Sequence, residues 1–293
     1  MAFGIIYFVW GSTFFGIRVG VHEIPPFLLG AGRFSVAGLA LLSWTLTQGE
    51  KLPTGREWLS ILGIALLVFL LDYGLLFWAE QRVPSGIAAV MMATIPAFTA
   101  LSEIILLKTR KLTVQLAAAL LIGLAGAAVL TGRGVHLGGA SIDGFGAAAL
   151  LIGAIAWSIA AALMKKLPMP SSRVVSAGAQ MLMGGIFLAL AAGALGEFRH
   201  FRPATVSVQA WVALLYLTVP GSIIGFTAYV WLIHHESPTK VGTYAYVNPI
   251  VAVVLGYYLG GEPLGLQTVV GALLVLVSVG VITTTKIAPK PIS

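Results

Sequence analysis

Cysteine is absent from this chain and charge is scarce: Asp, Glu, Lys and Arg together make up 9% of 293 residues. The first absence excludes disulfides, cysteine-ligated zinc and thiol chemistry. The second excludes a soluble domain, because 58% of the residues are hydrophobic and the mean hydropathy is +0.98, more than a surface in water tolerates. Long polar segments are missing too. No loop exceeds about 15 residues, which leaves nowhere to house a separate soluble activity. There is no Gly-x-Ser-x-Gly elbow, phosphate-binding loop, zinc signature or paired-aspartate motif, so catalytic residues and a cofactor are not expected. His234 and His235 are adjacent; neighbouring residues point to different helix faces and no further ligand lies nearby, so no metal is expected.

What is present is a series of apolar runs. A membrane-crossing helix needs about 20 mainly apolar residues, and the sequence predicts ten: Phe3 to Val21, Phe27 to Thr47, Trp58 to Glu80, Ser85 to Leu107, Val114 to Thr131, Gly144 to Met164, Val174 to Leu195, Trp211 to Ile233, Gly242 to Leu259 and Leu266 to Thr285. The runs are continuous, unlike the short alternating segments of a β-barrel. The expected fold class is therefore an all-α membrane protein with ten transmembrane helices. The first run has no basic leader and passes straight into a second span, which reads as a span and not as a cleaved signal.

Charge orients the bundle. With the amino terminus inside, the cytoplasmic side holds Lys51, Arg56, Lys108, Arg110, Lys111, Lys165, Lys166, Arg173, Lys240, Lys286 and Lys290, eleven in all, and the other side Arg82, Arg133, Arg199 and Arg202. The positive-inside rule then places both termini in the cytoplasm. The net charge of +7 follows from that topology and does not require a nucleic-acid partner.

The chain repeats itself. Gln115 to Thr131 resembles Gln267 to Thr283, at an offset of 152. At an offset of 147, Trp10 and Arg33 to Gly38 reappear as Trp157 and Gln180 to Gly185. Trp78, Pro84 and Pro96 recur as Trp231, Pro238 and Pro249. Five spans in each half is an odd number, so the halves sit in opposite orientations, the architecture on which alternating-access transporters are built. The expected division is residues 1–133 and 144–293, joined by a Gly-rich periplasmic connector over 134–143.

These features resemble the drug/metabolite transporter superfamily in its ten-helix EamA-type branch. The resemblance is carried by Trp10-Gly11-Ser12, Pro25-Pro26 with Arg33, Pro84-Ser85-Gly86 leading to Pro96, Ser237-Pro238, Asn248-Pro249, and Gly261-Glu262-Pro263-Leu264 before Gln267 and Gly271. It covers essentially the whole chain and is strongest toward bacterial exporters of aromatic amino acids. It implies a secondary transporter moving small metabolites outward across the bacterial inner membrane, with an amino-acid substrate and the lipid bilayer as partners. The chain is expected to act as a monomer. One departure is visible: the acidic residue that members carry before the last span of each half is Glu262 in the second half, and Arg110 stands at the matching place in the first. Other readings are an intramembrane enzyme on lipid-linked substrates and a transporter of cationic drugs or nucleotide sugars. The first calls for clustered carboxylates or a nucleophile and base pair, neither of which is seen.

Candidate site residues follow from position and type. Pro96 and Pro249 each remove a helix hydrogen bond within a span, freeing the carbonyls of Met92 and Ala245, and read as hinges. Trp10 and Trp157 lie well inside their spans, Tyr7 shares a stripe with Trp10, Met92 and Thr99 share a face with Pro96, and Tyr244 and Asn248 are four apart; these seven read as substrate-binding residues. Arg18, Arg33, Asp72 and Glu80 are charges inside or at the ends of spans, costly there unless paired or wetted, and read as a gate or ion-pair cluster. Arg33 and Asp72 lie at similar depth, which predicts that they pair. Small-residue pairs such as Gly16/Gly20, Gly221/Gly225 and Gly256/Gly260 read as close helix approaches.

Overall fold

The computed structural model describes residues 1–108, 112–131, 143–235 and 244–284. Outside them lie Arg110, Lys111, Arg133, most of the connector over 134–143, Ser237-Pro238, Lys240, Lys286 and Lys290. Ten apolar helices run through the described residues. Seven meet the length of a membrane span: α1 Ala2–Val21, α2 Pro26–Thr47, α3 Gly55–Ala79, α4 Ser85–Leu107, α6 Gly144–Met164, α7 Arg173–Ala194 and α8 Val208–Tyr229, whose helix continues to His235. The other three, α5 Val114–Thr131, α9 Tyr244–Gly260 and α10 Leu266–Thr284, have 18, 17 and 19 residues. Large apolar side chains such as Phe8, Leu59, Leu121 and Leu215 are exposed on the outside of the bundle, where lipid covers them.

The helices begin where the sequence supplies caps. Thr54 and Glu57 form a reciprocal capping box at α3, while Asp143, Ser172 and Ser207 accept hydrogen bonds from the first turns of α6, α7 and α8. Pro26 opens α2 in a first turn, where its missing N–H has no partner to lose.

Packing reproduces the duplication. The pairs α2 with α7, α4 with α9 and α5 with α10 meet across the centre; α1 packs on α8 and α9 as α6 packs on α3 and α4. Exchanging the halves leaves this pattern unchanged, as an approximate two-fold axis requires. Individual contacts obey it. A Cβ on Gly38 would lie 2.8 Å from Leu182 Cα, and one on Gly185 would lie 3.0 Å from Ser35 Cα. Gly38 and Gly185 correspond at the offset of 147, as do Ser35 and Leu182. The same holds at the α5–α10 seam, where Gly123 abuts Ser278 and Gly126 abuts Val275, pairs exchanged by the offset of 152. Only a residue without a side chain lets backbones approach this closely, the usual way helices associate where lipid removes the hydrophobic driving force. The fold is thus ten helices in two inverted five-helix repeats.

Candidate functional site

Two helices at corresponding places are wound more loosely than an α-helix. Leu66–Tyr73 in α3 and Leu217–Ile224 in α8 are π-helical, and each resumes α-geometry at a glycine, Gly74 and Gly225. A π-turn displaces backbone carbonyls from their usual donors and is often found at functional sites. In α8 two side chains from the other half bond to this segment. Trp10 Nε1 donates to the Gly221 carbonyl (3.1 Å). Arg33 Nε donates to Ser222 Oγ (2.9 Å), whose hydroxyl lies 3.1 Å from the Leu217 carbonyl.

The fourth helix is interrupted part-way along. Its first segment ends at Met92, a turn runs through Ala93-Thr94, and helix resumes at Ile95 with Pro96 in its first turn. Pro96 therefore sits just after an interruption in the helix, at the place where a hinge was expected. The Ile95 carbonyl lies 3.1 Å from Ser158 Oγ on α6, and Thr99 Oγ1 donates to that same hydroxyl (3.3 Å). Thr99, expected at a substrate surface, is thus part of the stitch that holds the break to α6. Pro249 differs: it sits inside the continuous helix α9.

Aromatic rings gather on both sides of the centre. On one side Trp10 lies 5.2 Å from Tyr229 and 5.3 Å, edge-on, from Tyr244. On the other, Trp157 meets Tyr73 at 6.1 Å, and Tyr73 continues through Phe34 at 4.7 Å to Phe69 and Phe77. The two groups lie within electrostatic reach of each other through Tyr244 and Tyr73. Helices α3 and α9 are not a packed pair among the described residues, yet Tyr244 on α9 is within electrostatic reach of Tyr73 and Asp72 on α3 and of Tyr229 on α8. Trp10, Tyr73, Trp157 and Tyr244 are each only half-buried, so the space between α3 and α9 is bordered by rings from both halves.

Other expected site residues are otherwise engaged. Met92 is packed in the main core. With its amide oriented by its neighbours, Asn248 donates toward the carbonyls of Tyr244, Ile6 and Tyr7 at 3.2, 3.2 and 3.0 Å. It ties α9 to the π-helical turn Ile5–Val9 of α1, beside Tyr7, whose ring meets Phe3 at 5.7 Å.

The charged residues do not form the single cluster that depth suggested. Arg33 is buried with its Cζ 4.8 Å from the Phe34 ring centre and 5.4 Å from that of Tyr73. Its Nε is taken by Ser222, and Nη1 has no partner. Asp72 lies instead against α6, where a Cβ on Gly153 would come within 3.1 Å of its Oδ1. Among the described residues no ion pair joins Arg33 and Asp72. Equal depth fixes height along the bundle but not rotation about the helix axis, and the two side chains point to different neighbours.

Arg18 and Glu80 meet at the end of the bundle opposite the amino terminus, but through the backbone: Arg18 Nη1 donates to the Glu80 main-chain carbonyl. Both carboxylate oxygens of Glu80 are enclosed without a hydrogen bond, with Glu262, Arg18 and Arg33 in electrostatic reach. Glu262 itself accepts from the N–H groups of Ser85 (2.8 Å) and Gly86 (3.2 Å), so the second half caps the first turn of α4. Glu197 does the same for α2 through Phe27 and Leu28, and Glu23 accepts from the N–H and hydroxyl of Ser207 at the start of α8. Hydrogen bonds from Ser207 hold the Glu23 carboxyl below its ordinary value, whereas burial pushes Glu197 up. At the opposite end Lys165 Nζ pairs with Glu103 Oε1 at 3.0 Å.

Several of these residues escaped the sequence. Tyr73 and Tyr229 are ordinary aromatic residues in apolar runs, and Ser158 is one small polar side chain among alanines. The spacing of Tyr73 next to Asp72 was the available signal.

Comparison with known proteins settles the family. The EamA-like transporter family matches residues 2–132 and again residues 144–284, one match for each half. The chain belongs to the EamA-like transporter family. It is 42% identical over 262 residues to the inner membrane transporter YedA of Escherichia coli (strain K12), covering 88% of this chain and 82% of that one. It is 24% identical over 277 residues to a transporter of Archaeoglobus fulgidus, covering 92% of each chain. Protein PagO of Salmonella typhimurium is 25% identical over 88% of this chain and 84% of its own length. A crystal structure sharing 20% identity superposes with a TM-score of 0.63 over 96% of this chain and 95% of the other, which is a likeness of fold. This protein is a multi-pass membrane transporter.

Proposed function

We propose that this transporter exports small metabolites, amino acids with aromatic or apolar side chains, across the bacterial inner membrane by alternating access around the gap between α3 and α9. The observation that carries the reading is the double aromatic border: Trp10, Tyr229 and Tyr244 from one side and Tyr73 and Trp157 from the other. Flat rings bury flat apolar side chains with little entropy loss and leave few polar groups to choose orientation. Two inverted repeats, residues 1–133 and 144–293 joined by 134–143, meet at that gap, and rocking one against the other exposes it to either side in turn. The eleven-to-four distribution of Lys and Arg supports cytoplasmic termini. The protein acts as a monomer, with the substrate and the bilayer as its partners and no nucleic acid or cofactor.

The test is uptake of a panel of radiolabelled amino acids into proteoliposomes of the purified protein. Accumulation of phenylalanine, tryptophan or leucine above protein-free vesicles supports the reading. Transport confined to nucleotide sugars or acidic metabolites contradicts it.

A further inference from the structure

This transporter treats its structural carboxylates consistently. Glu23, Glu197 and Glu262 each accept two hydrogen bonds at a helix start contributed by another part of the chain. Asp72 breaks the pattern. It is 2% exposed, its Oδ1 is enclosed without a hydrogen-bond donor, and no cation pairs with it among the described residues. The helix that covers it, α6, contains no ionisable side chain from Gly144 to Met164, and α7 contains only Arg173, at its first residue. The titratable groups that reach it are the phenols of Tyr73 and Tyr244. Glu80, also without a hydrogen bond, differs in having Arg18 and Arg33 within reach.

A lone carboxylate away from water costs several kcal/mol unless it is neutralised or given a cation. This one lies two turns before the end of α3, in its π-helical segment, beside the aromatic gap. The geometry points to Asp72 as the seat for the ammonium group of the transported molecule. An ammonium group supplies the three donors that the carboxylate lacks, and the rings of Tyr73, Trp157 and Tyr244 offer faces that attract a desolvated cation. The substrate class is then a small amine with an aromatic or apolar body, in which a carboxylate is tolerated and not required. Asp72 thereby becomes the specificity-determining residue of the site. The inference rests on the gap being the substrate site.

Three probes that differ in one group each provide the test: phenylalanine, phenethylamine, which lacks the carboxylate, and phenylpropionate, which lacks the amine. Binding is read by quenching of the intrinsic tryptophan fluorescence and transport by counterflow in proteoliposomes. The wild type takes both amines and discriminates against phenylpropionate. Asp72→Asn weakens both amines about tenfold or more, equivalent to about 1.4 kcal/mol, while leaving phenylpropionate unchanged, and Asp72→Glu restores part of the loss. Gly153→Ala, which crowds Oδ1 without altering charge, weakens the amines in the same order and serves if Asp72→Asn fails to elute as a folded species. Phenethylamine taken while phenylalanine is refused removes the amino-acid reading and leaves the inference standing. Amine preference intact in both variants, or a wild type that binds neither amine, overturns the inference.

Discussion

Trp10 on α1 donates its indole N–H to the carbonyl of Gly221 on α8, 3.1 Å away, while its ring packs against Tyr229 and Tyr244. One side chain thus closes an open group of the π-helical segment and forms part of the aromatic border. Replacing it with Phe keeps a ring and leaves the Gly221 carbonyl without that donor. A lost hydrogen bond of this kind costs about 1 kcal/mol. Trp10→Phe is expected to lower the thermal midpoint in detergent modestly and to reduce transport more than Trp44→Phe, which changes an exposed ring at a helix end. Equal effects of the two would show that the Gly221 contact carries no special weight.

The two prolines should behave differently. Pro96 lies in a first helical turn, where an N–H has no helical partner in any case, so Pro96→Ala leaves the break at Ala93-Thr94 in place and changes stability by no more than about 0.5 kcal/mol. Pro249 lies inside α9, and Pro249→Ala restores a bond to the carbonyl of Ala245 and straightens the helix. Transport is expected to fall in Pro249→Ala with membrane expression retained, and to persist in Pro96→Ala. A Pro96→Ala protein as impaired as Pro249→Ala would return the hinge to α4.

Arg33 and Asp72 are expected to be energetically independent. Arg33→Gln loses the bond to Ser222 and the stacking on Phe34 and Tyr73, and Asp72→Asn removes an unpartnered charge, so no shared contact couples them. A double-mutant cycle on thermal stability should close additively within about 0.5 kcal/mol. A double variant markedly more stable than the sum predicts would establish an ion pair in the membrane.

Two carboxylates outside the spans should give opposite pH dependences. Glu23 is held below its ordinary value by Ser207, so its contribution is present above the unfolded pKa and is lost as pH falls through the lower folded one. Glu197 is raised by burial, so its contribution is present below the unfolded pKa and is lost as pH rises through the folded one. Melting curves across the acid range should show Glu23→Gln flattening the loss of stability on acidification and Glu197→Gln removing a loss on the way to neutrality. Parallel changes in both variants would contradict the assignment.

How far the sequence reached depends on what each pattern encodes. Hydropathy reports how long a segment stays in lipid, and most of the predicted spans end within three residues of the observed helices. The offsets of 147 and 152 carried further, because Gly38 with Leu182 and Gly123 with Ser278 are the contacts that those offsets exchange. The π-helical segments were invisible: Leu66–Tyr73 is as apolar as any ordinary span, and the choice between i+4 and i+5 bonding is made by the partners that meet it. Asn248 was legible as a buried polar residue but not as the tie to Ile6 and Tyr7, since nothing in one helix names the carbonyls another will present. The Arg33–Asp72 pairing failed for a related reason, depth being readable and azimuth not.

The rings bordering the gap between α3 and α9 are expected to handle the substrate directly. Counterflow of labelled phenylalanine into proteoliposomes containing wild type, Tyr244→Ala, Trp157→Ala or Trp211→Ala measures this. Trp211 is an exposed ring near the start of α8 and serves as the control. The predicted result is robust counterflow by the wild type and Trp211→Ala, and a loss of about tenfold or more, the effect of about 1.4 kcal/mol, in each of the other two. Wild-type counterflow that survives unchanged in both Tyr244→Ala and Trp157→Ala would contradict the assignment of this gap as the path of the substrate.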